Sequence, residues 1–168
     1  DPPHPFPAFT ASVCNLRPES RGHVQIQSND PAQAPLIQPN YLSTDGDRQV
    51  AIDSLKLTRR ISLADALAKY RPKEFMPGPS YASDEALLDA AGNIGTTIFH
   101  PVGTCKMGPD SDAHAVVDAR LRVHGIDQLR VVDASIMPTI TSGNTNSPTI
   151  MIAERGAEMI LADRKPRA

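Results

Sequence analysis

The sequence predicts an α+β fold, a mostly antiparallel sheet with helices packed on one side. Three observations predict it. Phe9, Ala11 and Val13 alternate with small or polar neighbours, and Val24 and Ile26 do so again, the period-2 signature of strands. Further on, Val50, Leu57 and Ile61 are spaced for one face of a helix. Near the end, Ser147-Pro148 opens a run to Leu161 that is apolar except at Glu154, Arg155 and Glu158, the pattern of a mostly buried helix.

In chain order, the strands are expected over roughly 8–16 and 22–28, joined by a turn with Pro18 and Gly22. Asn29-Asp30-Pro31 ends the second. A helix follows from about Asp45 to Arg60, and a short one from Ser62, as N-cap, towards Tyr70. Ser83 caps another, where Asp84 and Glu85 suit the positive end of the dipole and Gly92 or Gly95 ends it. Residues 114–134 read as short strands around a turn at Gly125. In the last helix Ser147 is the expected N-cap, Pro148 the first helical residue, and Thr149 to Leu161 the body. The chain has sixteen prolines, and ten of them gather in 1–7, 31–39 and 72–79, which are therefore expected to be extended coverings or connections.

Composition narrows the function. At 168 residues, 40% hydrophobic and 21% charged, the chain suits a soluble globular protein with its own core. A net charge of -2 with no Lys/Arg stripe argues against nucleic acid and anionic membranes as partners. No apolar run is long enough to span a bilayer. Cys14 and Cys105 are too few for a disulfide framework and read as reduced thiols of an intracellular, cytoplasmic protein. The chain opens Asp-Pro-Pro-His without Met, so it reads as a piece of something longer.

Two places could carry chemistry. A helix beginning at Pro148 would leave the amides of Thr149 and Ile150 facing outwards, a site favouring negative charge, with the carboxamides of Asn144 and Asn146 beside it. Asn144, Thr145 and Asn146 also read as turn and capping residues. His100 lies in Thr-Ile-Phe-His-Pro-Val-Gly-Thr-Cys-Lys-Met-Gly (97–108), where Pro and Gly would hold it rigidly. It reads either as a general base or as an ordinary half-buried histidine. His4, His23, His114 and His124 suit surface roles. Zinc is disfavoured because no C-x-x-C or H-x-x-x-H spacing occurs, and nothing in the spacing brings Cys105 to His100 as a nucleophile. No Gly-x-Gly-x-x-Gly dinucleotide fingerprint is present.

Five segments together, in order, resemble the carboxy-terminal region of the glucose-methanol-choline (GMC) flavin oxidoreductases, the choline dehydrogenase-like members above all. They are Ser-Arg-Gly-His-Val-Gln-Ile (20–26), Asp-Pro with the later Ile-Gln-Pro-Asn-Tyr-Leu (30–42), His-Pro-Val-Gly-Thr-Cys-Lys-Met-Gly (100–108), Leu-Arg-Val-Val-Asp-Ala-Ser-Ile-Met-Pro (129–138) and Gly-Asn-Thr-Asn-Ser-Pro-Thr-Ile-Met-Ile-Ala-Glu (143–154). The resemblance implies oxidation of a small-molecule alcohol by hydride transfer to FAD. His100 falls on the family's base and Asn146 on its second site residue, His or Asn, which holds the substrate oxygen. Asp133 and Ala134 fall on the segment beside the flavin's ribityl and phosphate part. Asn144, Pro148 and Thr149 fall on the loop and helix start beside the isoalloxazine ring.

By the same resemblance, residues 1–95 belong to a substrate domain. Residues 96–168 return to the FAD domain with its last strand and helix, and the amino-terminal FAD-binding part of the polypeptide lies elsewhere. Exposed apolar surface along the final helix, and self-association of the piece alone, are then expected. A fragment of this kind would neither hold FAD tightly nor turn over alcohol. With seven aromatic residues and no Trp, no cage for a choline cation is evident. The competing reading is a non-catalytic binding or assembly module that keeps the fold.

Overall fold

The computed structural model describes residues 4–164, so the first prolines of the 1–7 stretch lie outside the described residues. The chain divides into two compact units, Asp1–Gly22 with Pro39–Thr96, and His23–Gln38 with Thr97–Ala168.

The first unit is built on helices. Helix α1 (Asp45–Ser62) starts where the Thr44 hydroxyl accepts the Asp47 amide at 3.2 Å, with Asp45 and Asp47 in its first turn and Arg59 and Arg60 in its last. Helix α2 (Asp65–Ala68) is a single turn. Its N-cap is Ala64 rather than the expected Ser62, because α1 runs on through Ser62. Helix α3 (Asp84–Ile94) has the expected boundaries, with the Ser83 hydroxyl accepting the Ala86 amide and Gly95 as C-cap. Helices α1 and α3 pack together, burying Ile52, Leu87 and Ala90. Lys56 bridges to Asp84 at 2.6 Å, while Arg59 grips the Glu74 carboxylate and the carbonyls of Gly78 and Tyr81. The latter contacts anchor the proline-rich 72–79 connection.

Asp47 is the polar hub of this unit. It is buried, and its carboxylate accepts from the Asn15 side chain at 3.0 Å and from the amides of Glu19 and Ser20 at 2.9 and 2.7 Å. Burial pushes its carboxyl up. The hydrogen bonds from Ser20, Glu19 and Thr44 outweigh burial and hold it below its ordinary value near 3.8. A depressed carboxyl contributes stability that is present above the ordinary value and is lost as pH falls through the lowered one. Melting temperature is therefore expected to drop more steeply in the native protein than in Asp47→Asn between about pH 5 and about pH 3.

The second unit holds the sheet, which is smaller than expected. Strand β1 (His23–Gln25) pairs antiparallel with β2 (Leu36–Gln38), with Val24 opposite Ile37. Residues 8–16 form no strand. The partner of β1 instead comes from across the Asn29-Asp30-Pro31 turn, where Asp30 accepts the amides of Ala32 and Gln33. Phe9 and Val13 alternate as strands do, but the chain offers them no ladder and both are exposed. All six strand residues are exposed, so among the described residues no helical layer lies on the sheet, and the expected mostly antiparallel sheet with helices packed on it is corrected to helices and one small antiparallel hairpin.

Between residues 107 and 130 the expected strands reduce to isolated bridges, Met107 with Val117, Val117 with Val123 and Arg122 with Arg130. The chain reverses too often for a ladder. Gly125 turns with φ +73, as anticipated, and the Asp118 carboxylate gathers the amides of Arg120 and Arg122 into another turn. These loops close around Val117, Leu121, Ile136, Met137 and Ile152, the core of the unit.

Of the last expected short strand, 129–134, only the bridge at Arg130 forms here, and a 3-10 turn, Ala134–Ile136, capped by the Asp133 carboxylate, follows it. Helix α4 (Asn146–Ala162) then packs on that turn. It starts one residue before the expected cap Ser147, and Thr145 is its N-cap. Gly156 allows the close approach, since a Cβ there would stand 2.4 Å from the Val132 side chain. At its far end Asp163 receives the guanidinium groups of Arg120 and Arg130. The helix is not mostly buried. Only Ile152 and Gly156 are, while Ile150, Met151, Ile160 and Leu161 are 48–65% exposed. Its run is apolar outside Glu154, Arg155 and Glu158, yet the core of the unit takes one stripe of it alone.

Candidate active site

All the candidate residues lie in the second unit. His100 is half-buried and is presented by an unusual backbone. Phe99 has φ +62, a conformation strained for a bulky side chain, and its amide is held by the Thr97 hydroxyl at 3.0 Å. Pro101 follows at once, and Gly103 turns with φ +89 close to the Met137 carbonyl. The amides of Cys105 and Met107 then bond to the carbonyls of Ser135 and Ile136, at 3.0 and 2.8 Å. The segment after His100 is thus tied to the 3-10 turn.

Both imidazole nitrogens are engaged. Asn144 Nδ2 lies 3.1 Å from Nε2, and Thr145 Oγ1 lies 3.0 Å from Nδ1. Nδ2 of an amide can only donate, so Nε2 must offer its lone pair. In the neutral form the single N–H then sits on Nδ1 and donates to the Thr145 hydroxyl, leaving the Nε2 lone pair aimed at the Asn144 amide. His124 contrasts with His100, since Asp110 lies 2.8 Å from one ring nitrogen and the Gly108 carbonyl 3.1 Å from the other.

Among the expected site residues, the structure brings His100 and Asn144 together. Asn146 opens α4, is exposed, and makes no side-chain hydrogen bond to His100 or to any other described residue. Pro148 and Thr149 are half-buried in the first turn of α4. The amide and hydroxyl of Thr149 both bond to the Thr145 carbonyl, at 3.1 and 2.6 Å. The amides of Thr149 and Ile150 are thus not the outward pair expected. With the helix starting earlier, that position falls to Asn146 and Ser147, because Pro148 has no N–H. Asp133 is exposed and holds the amide and hydroxyl of Ser135, while Ala134 packs against the core.

No cluster of three or more His, Cys, Asp or Glu side chains suited to a metal occurs among the described residues. Cys105 is half-buried and free, with no hydrogen bond to His100 among the described residues. No helix among them is long and apolar enough to cross a membrane.

The profile of the GMC oxidoreductase family matches residues 18–153, most of the chain. The chain belongs to that family. An alcohol dehydrogenase [acceptor] of Pseudomonas putida is 46% identical over 153 residues, 91% of this chain and 27% of that protein. An oxygen-dependent choline dehydrogenase of Escherichia coli O45:K1 is 50% identical over 161 residues, 95% of this chain and 28% of that protein. Among solved structures, a pyridoxine 4-oxidase from Mesorbium loti superposes with a TM-score of 0.81 at 38% identity, covering 89% of this chain and 29% of that one. An FAD-dependent oxidoreductase from Chaetomium thermophilum superposes at 0.82 with 31% identity, covering 88% of this chain and 26% of that one. The family is one of FAD-binding flavoproteins, and this chain spans little more than a quarter of the relatives it matches.

The residues present fit such a cofactor. Two free amides at the start of α4 suit a polar, electron-rich ring edge, and Ile150 and Met151 just beyond offer exposed apolar surface to a flat ring. The exposed Asp133 carboxylate suits hydroxyl donors.

The family resemblance puts the oxygen-holding amide at Asn146, while Thr145 reads in the sequence as a turn or capping residue. No spacing rule distinguishes Asn144 from Asn146. The left-handed backbone at Ser142, φ +60, shapes the loop from which Asn144 meets the imidazole, and Ser is not a residue that announces such a turn.

Proposed function

We propose that the chain carries the proton-accepting side of the active site of an FAD-dependent alcohol dehydrogenase acting on CH–OH groups, with FAD in the whole protein supplying the hydride acceptor. The observation that carries the proposal is the His100 imidazole whose Nε2 meets the Asn144 amide at 3.1 Å. An alcohol hydroxyl entering beside Nε2 replaces that amide as donor. His100 then takes the hydroxyl proton on Nε2, becoming an imidazolium with Nδ1–H still on Thr145.

The displaced Asn144 amide is left facing the substrate oxygen as negative charge grows there, and it donates without titrating. This assigns to Asn144 the task first expected of Asn146. Asn146 and Ser147 turn their free amides towards the cofactor side, with Pro148 and Thr149 fixing the helix start. Asp133 and Ala134 lie along the cofactor's ribityl and phosphate part.

The remaining polypeptide supplies the amino-terminal FAD-binding domain, which covers the exposed apolar residues of α4. Small primary alcohols, choline among them, are the substrate class supported by the named relatives. In the full-length protein under anaerobic conditions, the visible flavin bands are expected to bleach when such an alcohol is added. A colourless preparation, or a yellow one indifferent to a panel of primary alcohols, would favour the non-catalytic module instead.

A further inference from the structure

We infer that Thr145 is a positioning residue that selects the tautomer of His100, so that the base's lone pair lies on Nε2 and nowhere else. The inference rests on the reading of His100 as the base, and three observations carry it. Thr145 is the N-cap residue of α4, yet its hydroxyl makes no capping hydrogen bond. Threonine at an N-cap ordinarily accepts from an amide in the first turn. Here the hydroxyl lies 3.0 Å from His100 Nδ1 instead. The residue is also buried, 7% exposed, so water does not readily substitute for that contact.

With Asn144 Nδ2 turned to the ring, Nε2 accepts; in the neutral imidazole the proton then lies on Nδ1, with Thr145 Oγ1 as its acceptor. The backbone keeps the hydroxyl in place, because the Thr145 carbonyl takes both the amide and the hydroxyl of Thr149. Without an acceptor at Nδ1 the proton is free to move to Nε2. It would then meet the Asn144 N–H2 face to face, and the lone pair would point into the buried side, away from any alcohol. Thr145 touches neither substrate nor reacting atoms, and its effect passes through the imidazole.

The test compares Thr145→Val, which keeps the shape and removes the acceptor, with Thr145→Ser, which keeps the acceptor, in the flavin-loaded full-length protein. The first readout is the pair of ring 15N shifts of His100 after selective labelling. The native protein and Thr145→Ser are expected to show a protonated Nδ1 and a bare Nε2, while Thr145→Val shows the two forms mixed or reversed. The second is the anaerobic rate of flavin reduction by alcohol, expected to fall about tenfold or more in Thr145→Val and to return within a few-fold in Thr145→Ser. A bare Nδ1 in the native protein overturns the inference, with no variant needed. So does a Thr145→Val protein with native shifts and rate, provided His100→Ala is slow. If His100→Ala is itself as fast as native, the base assignment has failed and the positioning role goes with it, even where the shifts behave as described.

Discussion

His100→Ala in the flavin-loaded full-length protein is expected to slow flavin reduction by alcohol by about a hundredfold or more, the scale of a general-base contribution. The size follows from the lack of a substitute. Asn144, the nearest side chain on Nε2, is an amide that does not accept a proton from an alcohol. The Cys105 thiol is free and makes no hydrogen bond to the imidazole among the described residues. His124 is committed to Asp110 and the Gly108 carbonyl. His100→Gln is expected to fail almost as badly, because it can hydrogen-bond but not titrate. Stopped-flow bleaching of the flavin checks both, and retention of the flavin spectrum shows that the site has stayed assembled.

The second large effect separates two asparagines that lie two residues apart. Asn144→Ala is expected to cost about a hundredfold in the reduction rate, as loss of one donor to a developing oxyanion does elsewhere. Asn146→Ala is expected to stay within a few-fold of native. The contrast comes from placement. The Asn144 carboxamide reaches Nε2, while that of Asn146 stands exposed at the first residue of α4 with no side-chain hydrogen bond to another described residue. The measurement is the same bleaching rate for both variants. The reverse order of effects would restore Asn146 as the residue that holds the oxygen.

The sequence made the helices of the first unit readable because their signals are local. Ser83 with Asp84 and Glu85 marks the start of α3, and Gly95 its end, whatever the rest of the chain does. Strands were harder, since alternation at Phe9, Ala11 and Val13 describes a strand's needs but not its partner. The partner of β1 came from Leu36–Gln38, a segment too short to stand out. The bridges around Val117 depend likewise on long-range pairing.

Helix α4 shows a related gap. Its apolar run is plain, but burial requires something to bury against, and among the described residues much of that surface stays exposed. Its start was misread because Ser147-Pro148 is a strong local signal. The hydroxyl of Thr145, the actual cap residue, serves His100 rather than the helix. His100 itself was legible, since Pro101 and Gly103 announce a rigid turn. What remained hidden was which neighbour meets it, a matter settled by backbone direction at Phe99 and Ser142 rather than by composition.

The central claim is that one alcohol oxygen sits between an imidazole lone pair and the carboxamide two residues before α4 begins. A crystal structure of the flavin-loaded full-length protein with a non-reacting alcohol bound tests it most directly. The oxygen is expected within hydrogen-bond distance of both His100 Nε2 and Asn144 Nδ2. An oxygen bound by other side chains, with His100 still closed on Asn144, would contradict it.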